Sequence, residues 1–132
     1  MKRRTFIAAT LASTLMPFSA YAAEFIDYTP GVVQEALDEG KTLFVDYSAT
    51  WCSTCARQKR VISGLRDEDS KYDDAMTFIK VDWDTYKDHD ITLFNSIPRR
   101  STLIVLRGEE ELGRVVAGTS VAQIKALMDT GL

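Results

Sequence analysis

Residues 44–55 read FVDYSATWCSTC, and they hold both cysteines of the 132-residue chain. The surrounding run TLFVDY, residues 42–47, is rich in aromatic and β-branched side chains, which predicts a buried strand. Residues 53–65 are polar on one side and apolar on the other, which predicts a helix packed on a sheet. We therefore expect Cys52 and Cys55 to lie where a buried strand passes into an amphipathic helix.

The rest of the chain alternates between strand and helix patterns. The further elements are a weak strand at 24–27, a helix capped by Thr29 with Pro30 at its first position, a strand at 76–81, a helix at 85–96, a hairpin of strands at 102–106 and 112–116, and a last helix capped by Thr119 or Ser120. This order predicts an α/β fold whose central strands are parallel and covered by helices on both faces. With 45% hydrophobic and 27% charged residues, the chain has the composition of one globular domain.

Residues 1–22 have the pattern of a cleavable secretory signal peptide. Residues 2–4 are basic, a mostly apolar stretch follows, and residues 20–22 read Ala-Tyr-Ala, which fits a cleavage site. The apolar stretch is too short and too interrupted to predict a membrane-spanning helix. The two arginines resemble the twin-arginine export pattern, and that route and the general secretory route both remain open. We expect an exported, periplasmic or otherwise extracytosolic, domain at residues 23–132.

Removal of residues 1–22 deletes three basic residues and no acidic ones, which moves the formal net charge from −3 to −6. An acidic domain of this kind argues against nucleic-acid binding, because such binding depends on neutralising phosphates with Lys and Arg. Export also bears on the cysteines, since a disulfide can form and persist outside the cytosol.

The spacing of the cysteine pair favours redox chemistry over a structural bridge or a metal site. A bridge that closes over two residues removes little entropy from the unfolded chain. A closed zinc site takes four ligands, and beyond the pair the chain offers only His89 and carboxylates, although a site shared between subunits stays open. At a helix start, by contrast, backbone N–H groups favour the thiolate form of the first cysteine. We expect no metal, and no cofactor besides the disulfide itself.

The segment FVDYSATWCSTC resembles the active-site segment of the thioredoxin family, and the order of elements is similar over residues 24–131. The resemblance implies a thioredoxin-like fold, with a central mixed sheet flanked by helices on both faces. It also implies that Cys52 is the exposed attacking thiol, Cys55 the buried resolving thiol, and Asp46 a buried acid that moves a proton. Asp46 stands in an apolar run, so we expect burial to raise the pKa of its carboxyl. Lys80 matches a lysine that the family often keeps near that acid.

One loop departs from the family pattern. Family members place a cis-proline opposite the cysteines, just before a main strand, where it helps to form the substrate groove. A gapless alignment puts Ser101 in that position and is favoured here, with a trans bond and a hydroxyl near the sulfurs. The other alignment puts Pro98 there and needs extra loop residues. The remaining residues assigned to the substrate groove and the thiol environment are Trp51, Ser53, Thr54 and Arg100.

The resemblance implies an exported thiol-disulfide oxidoreductase that exchanges the Cys52–Cys55 pair with protein thiols and disulfides. A reductase is favoured over an oxidase, because Ser53 and Thr54 bring no charge and Asp46 opposes a thiolate nearby. A reductase of this kind implies a membrane thiol-disulfide carrier as electron donor, and we expect the protein to act as a monomer. The alternative is a non-catalytic thioredoxin-like binding module or metal chaperone that uses the same groove.

Overall fold

The computed structural model describes residues 24–132, so the predicted signal peptide at residues 1–22 lies outside the described residues. The strands are β1 (Ile26–Asp27), β2 (Thr42–Ser48), β3 (Met76–Asp82), β4 (Thr102–Arg107) and β5 (Glu110–Val116). The helices are α1 (Val32–Asp38), α2 (Ser53–Glu68), α3 (Lys71–Ala75), α4 (Trp83–Tyr86), α5 (Asp90–Leu93) and α6 (Val121–Asp129). Among these residues, none of the helices has the length and apolar content needed to cross a bilayer.

The five strands form one mixed sheet in the order β1-β3-β2-β4-β5. Strands β1, β3 and β2 are parallel, whereas β4 runs antiparallel to β2 and β5 runs antiparallel to β4. The expectation that all central strands are parallel is therefore wrong for β4. Strand β3 ends with Asp82 opposite Ser48, and β4 begins with Thr102 opposite Tyr47. The intervening chain thus stays at one end of the sheet, and without a crossover the next strand has to run antiparallel.

Apolar side chains cover both faces of the sheet. One face, which includes Phe44, Phe78 and Leu103, packs against α2, α3 and α6. The other face, which includes Val45 and Ile79, packs against α1 and the α4–α5 segment. The central strand β2 has six consecutive buried residues, as expected for a strand covered on both sides.

Two buried polar side chains connect the helices to the sheet. Arg66 of α2 is 5% exposed; its Nε lies 2.6 Å from Asp73 Oδ1, and its guanidinium carbon lies 4.0 Å from the centre of the Phe78 ring. Tyr47 is fully buried and donates its hydroxyl to the Ile91 carbonyl at 2.6 Å. Both contacts connect helical segments to the sheet through side chains that are distant in sequence.

Two predicted helices differ from the observed ones. The first begins at Val32 rather than at Pro30, because Gly31 adopts a left-handed conformation with φ of 92° and serves as the N-cap. The predicted helix at 85–96 is instead two helices of four residues each, α4 and α5. Helix α4 starts early because the Asp82 side chain accepts the Thr85 N–H.

The edges of the sheet are formed by β1 and β5. Strand β1 has only two residues, and β5 carries an ion pair between Arg114 and Glu111 at 2.6 Å. The β4–β5 pairing also shifts register between Val105 and Leu106, which is a bulge-like irregularity.

Candidate functional site

The cysteines lie at the junction predicted from the sequence. Strand β2 ends at Ser48, and Cys52 is the N-cap residue of α2, where its Sγ accepts the Cys55 N–H at 3.1 Å. The two cysteines form a disulfide with their Cα atoms 5.3 Å apart. The helix start therefore presents a backbone donor directly to the first sulfur, which stabilises negative charge on it.

Both cysteines are buried. Cys52 is 4% exposed and Cys55 is 1% exposed. The expectation of an exposed Cys52 is therefore wrong for the disulfide form, because its sulfur points inward to the Ser101 side chain. Ala49 shares this small buried cluster, and the half-buried Trp83 packs against it.

Ser101 lies against the disulfide. Its Oγ is 3.1 Å from Cys52 Sγ and 3.1 Å from Cys55 Sγ, and the residue is fully buried. It adopts a left-handed backbone with φ of 64°, and the peptide bonds of residues 24–132 are all trans. Pro98 is exposed. The position that faces the sulfurs is thus filled by Ser101 rather than by Pro98.

Backbone hydrogen bonds fix Ser101 from β2 and from the residue that follows β5. Its N–H donates to the Tyr47 carbonyl at 2.8 Å, and its carbonyl accepts the Ala117 N–H at 2.9 Å. The buried Gln58 side chain of α2 donates through Nε2 to the Ser101 carbonyl and to the Gly118 carbonyl, both at 2.9 Å. These contacts hold a backbone conformation that a residue with a side chain rarely adopts.

Asp46 lies within β2, six residues before Cys52, and is 2% exposed. Its Oδ1 has no hydrogen-bond partner among the described residues. Burial raises the pKa of Asp46 to about 7, against the opposing effects of the Lys80 and Lys59 charges. The direction is the one predicted from the sequence, and Lys80 lies directly across from Asp46 in the sheet register.

A cleft of about 580 Å³ opens beside the disulfide. Its lining includes both cysteines, Lys59, Lys80 and Asp82. Lys80 also forms an ion pair with Asp27 at 3.2 Å. The cleft therefore approaches the buried disulfide past a mixture of cationic and anionic side chains.

The other residues predicted for the groove do not line this cleft. Trp51 is 59% exposed, so it is a surface side chain rather than part of the core. Its Nε1 donates to Asp84 Oδ2 at 2.8 Å, and the guanidinium carbon of Arg100 lies 4.3 Å from its ring centre. Ser53 is exposed and Thr54 is half-buried in the first turn of α2. Arg100 and Trp51 thus form a stacked cation-aromatic pair beside the active-site helix.

Sequence reasoning missed Gln58 and Trp83. Gln58 contacts residues 43 and 60 positions away, and no local pattern indicates such contacts. A signal for Gln58 did exist, because a glutamine on the apolar side of a predicted helix implies a buried amide that needs partners. Trp83 follows directly after β3, at the same end of the sheet as the cysteines.

Two cysteines in a disulfide, a helix start and a buried acid form an arrangement that can exchange a disulfide with a second thiol pair. Within residues 24–132, no group of three or more His, Cys, Asp or Glu side chains could hold a metal ion.

Comparison with protein families gives a match to the thioredoxin model over residues 27–130. Among curated proteins, a thioredoxin H-type from Fagopyrum esculentum is 31% identical over 83 residues. That match covers 63% of this chain and 66% of the relative, so the chain aligns with slightly less than two thirds of the relative's length.

Solved structures with the same fold include Trxlp from Edwardsiella tarda and the reduced thioredoxin pre-protein of Schistosoma mansoni. The first is 28% identical with a TM-score of 0.65, covering 77% of this chain and 97% of its own. The second is 25% identical with a TM-score of 0.65, covering 83% of this chain and 100% of its own. The predicted fold, a mixed sheet with helices on both faces, is confirmed.

Proposed function

The chain belongs to the thioredoxin family, and from this we propose that it is an exported thiol-disulfide oxidoreductase acting on protein disulfides, as a reductase. The observation that carries the proposal is the Cys52–Cys55 disulfide at the start of α2, beside a buried acid with a raised pKa. Each feature supports a step of disulfide exchange.

The reaction begins with the dithiol form. The Cys52 thiolate attacks one sulfur of a substrate disulfide; the substrate S–S bond breaks, its other sulfur leaves as a thiolate that takes a proton from solvent, and a mixed disulfide forms on Cys52. Cys55 then loses its proton and attacks Cys52 Sγ, which releases the second substrate thiol. The substrate gains two electrons and two protons, and the protein is left with the Cys52–Cys55 disulfide.

Asp46 supplies a proton acceptor for the second step. A carboxyl with a pKa of about 7 changes protonation near neutral pH, so it can take a proton and return it in the next cycle. The Lys80 and Lys59 charges stabilise its anionic form, whereas burial opposes that form.

The distribution of charge near the sulfurs supports the proposed reducing direction. Reduction potentials of such cysteine pairs run from about −270 mV for thioredoxin to about −120 mV for DsbA, and the stabilisation of the attacking thiolate decides between them. Asp46 is buried on the cysteine side of the sheet, and Ser53 and Thr54 carry no charge.

Export rests on the signal-peptide pattern of residues 1–22. An exported reductase works outside the cytosol, so we further propose that a membrane thiol-disulfide carrier returns the disulfide to the dithiol, and that the protein works as a monomer. The substrates in this proposal are protein disulfides of the same compartment.

Trapping of mixed disulfides tests the exchange mechanism. In Cys55→Ala, the resolving step is removed, so Cys52 should remain bound to substrate proteins and give high-mass species that disappear on reduction. The matched control is Cys52→Ala, which keeps Cys55 but lacks the attacking thiol and should trap far less. If the two variants trap equally little, the chain is a binding module and the proposed activity is wrong.

The reduction potential of the cysteine pair tests whether the protein reduces or oxidises its substrates. Equilibration of the Cys52–Cys55 pair with glutathione buffers gives its reduction potential. A potential close to that of thioredoxin supports a reductase. A potential close to that of DsbA would mean that the protein oxidises its substrates.

A further inference from the structure

Ser101 shows an unusual combination of strain, burial and contact with both reacting sulfurs. It has a side chain, yet its φ is 64°, a conformation that favours glycine. Its Oγ is equally distant, 3.1 Å, from Cys52 Sγ and Cys55 Sγ. A glycine at this position would relieve the backbone strain, but it would lack the hydroxyl. The hydroxyl is therefore the polar group that the serine side chain places beside the sulfurs.

The hydrogen-bonding capacity of these three side chains depends on the redox state. In the disulfide neither sulfur carries a proton, so the hydroxyl is the only donor among the three and its single proton is divided between two weak acceptors. In the dithiol form, the Cys52 thiolate is a strong acceptor and the Cys55 thiol is a donor. The same Oγ can then donate to Cys52 and accept from Cys55, and both contacts become stronger.

We propose that the Ser101 hydroxyl is a catalytic group of this site: it donates to the Cys52 thiolate, accepts from the Cys55 thiol, and so stabilises the dithiol relative to the disulfide. The inference rests on the proposed thiol-disulfide exchange and assigns to it one further residue. With this hydroxyl in place, the Cys52–Cys55 dithiol is a weaker reductant than it would be without it.

Gln58 is the positioning residue for this hydroxyl. Its Nε2 bridges the carbonyls of Ser101 and Gly118, both at 2.9 Å, from within the helix that carries the cysteines. The bridge therefore fixes the distance between α2 and the Ser101 loop. Without this constraint on the Ser101 backbone, the hydroxyl could move away from the sulfurs when they separate on reduction.

The test is the glutathione equilibrium of the pair in Ser101→Ala and Ser101→Gly, compared with the wild-type chain. A hydrogen bond to a charged group is stronger than one to a neutral group, and part of this contact persists in the disulfide. We expect both variants to be reduced about tenfold less readily, which is a shift of the reduction potential by about 30 mV to a more negative value. The pH midpoint for alkylation of Cys52 should rise by about one unit in both variants, because the thiolate loses a donor.

The two variants separate the hydroxyl from the backbone. Alanine stays strained at this φ and glycine does not, so a backbone effect would make their redox equilibria differ. Equal shifts in both variants support the proposal. Wild-type equilibrium constants and wild-type alkylation midpoints in both variants would overturn it.

A double-mutant cycle tests Gln58. In Gln58→Met the reduction potential should shift in the same direction as in Ser101→Ala, by a smaller amount. The double variant should have the same reduction potential as Ser101→Ala alone. Additive shifts would remove Gln58 from the mechanism. A chain that does not exchange with glutathione at all would contradict the proposed function instead, so the two failures can be told apart.

Discussion

Replacing Asp46 with asparagine should change how the stability of the protein depends on pH. Folding places this carboxyl in a buried position, with Oδ1 unpartnered among the described residues, and raises its pKa from 3.8 to about 7. Well below pH 3.8 the carboxyl is protonated in both the folded and the unfolded chain, and folding has no charge to bury. As the pH rises, the unfolded chain loses the proton first, so the free energy of unfolding falls until the folded carboxyl also ionises at about pH 7.

The size of the effect follows from the two pKa values. One pKa unit corresponds to about 1.4 kcal/mol, so the full cost of the buried carboxylate is about 4 kcal/mol above pH 7. Between pH 5 and pH 8 the wild-type protein should lose about 3 kcal/mol relative to Asp46→Asn, because part of the cost is already present at pH 5. The amide adds a constant offset, which cancels in the pH dependence.

Urea unfolding of the oxidised proteins, followed by circular dichroism at pH 5, 6, 7 and 8, gives this difference directly. Asp88→Asn is the matched control, since Asp88 is an exposed surface carboxylate and its replacement makes the same change of side chain outside the core. A wild-type minus Asp46→Asn difference that varies by less than about 1 kcal/mol over this range would show that Asp46 is not desolvated in the folded chain.

Substitutions at Arg66, at Tyr47 and at the Arg99–Arg100 pair test the packing of the core and the charge near the site. Arg66→Ala should lower the free energy of unfolding by about 3 kcal/mol, because it removes a buried side chain from Phe78 and from its ion pair. Arg66→Met should lower it by about 1 kcal/mol, since the apolar stem is kept and Asp73 still reaches water; equal losses in urea unfolding would contradict this reading. Tyr47→Phe should cost about 1 kcal/mol through the lost hydrogen bond to the Ile91 carbonyl, with an unchanged denaturant slope, and a cost near zero would show that this bond adds nothing. Arg99 directly precedes Arg100 on the loop before β4, and its Nε donates to the Arg100 carbonyl at 3.1 Å. Arg99→Gln combined with Arg100→Gln should slow thiol exchange with an acidic peptide disulfide severalfold at low salt and leave the rate in about 0.5 M salt unchanged. Stopped-flow rates that fall equally at both salt concentrations would exclude electrostatic guidance.

The structure contains the strand and the helix that local sequence patterns predicted around the cysteines. The strand into Tyr47 and the helix from Ser53 lie where the sequence places them, since a strongly apolar run and an amphipathic stretch leave little choice of conformation. The helix predicted at 85–96 was wrong because two short helices give nearly the same periodicity as one long helix. Phe94, which follows the second of these short helices, is 83% exposed.

What the sequence could not predict depends on contacts between distant residues. The Gln58 amide joins two carbonyls from the Ser101 loop and from the chain after β5, and only the assembled sheet brings these together. The direction of β4 likewise depends on which end of the sheet the chain occupies after β3. The burial of Cys52 follows from the Ser101 side chain, which no pattern around the cysteines contains.

The two edges of the sheet bear on how the protein behaves when it is concentrated. Exposed strand edges can pair with other chains and begin aggregation. Strand β1 offers only two residues to such pairing, and β5 presents charged side chains at Glu110, Glu111 and Arg114 beside a bulge. A partner strand would have to bury these charges and follow an irregular edge, so the fold resists growth into fibrils without any additional domain to cover its sheet.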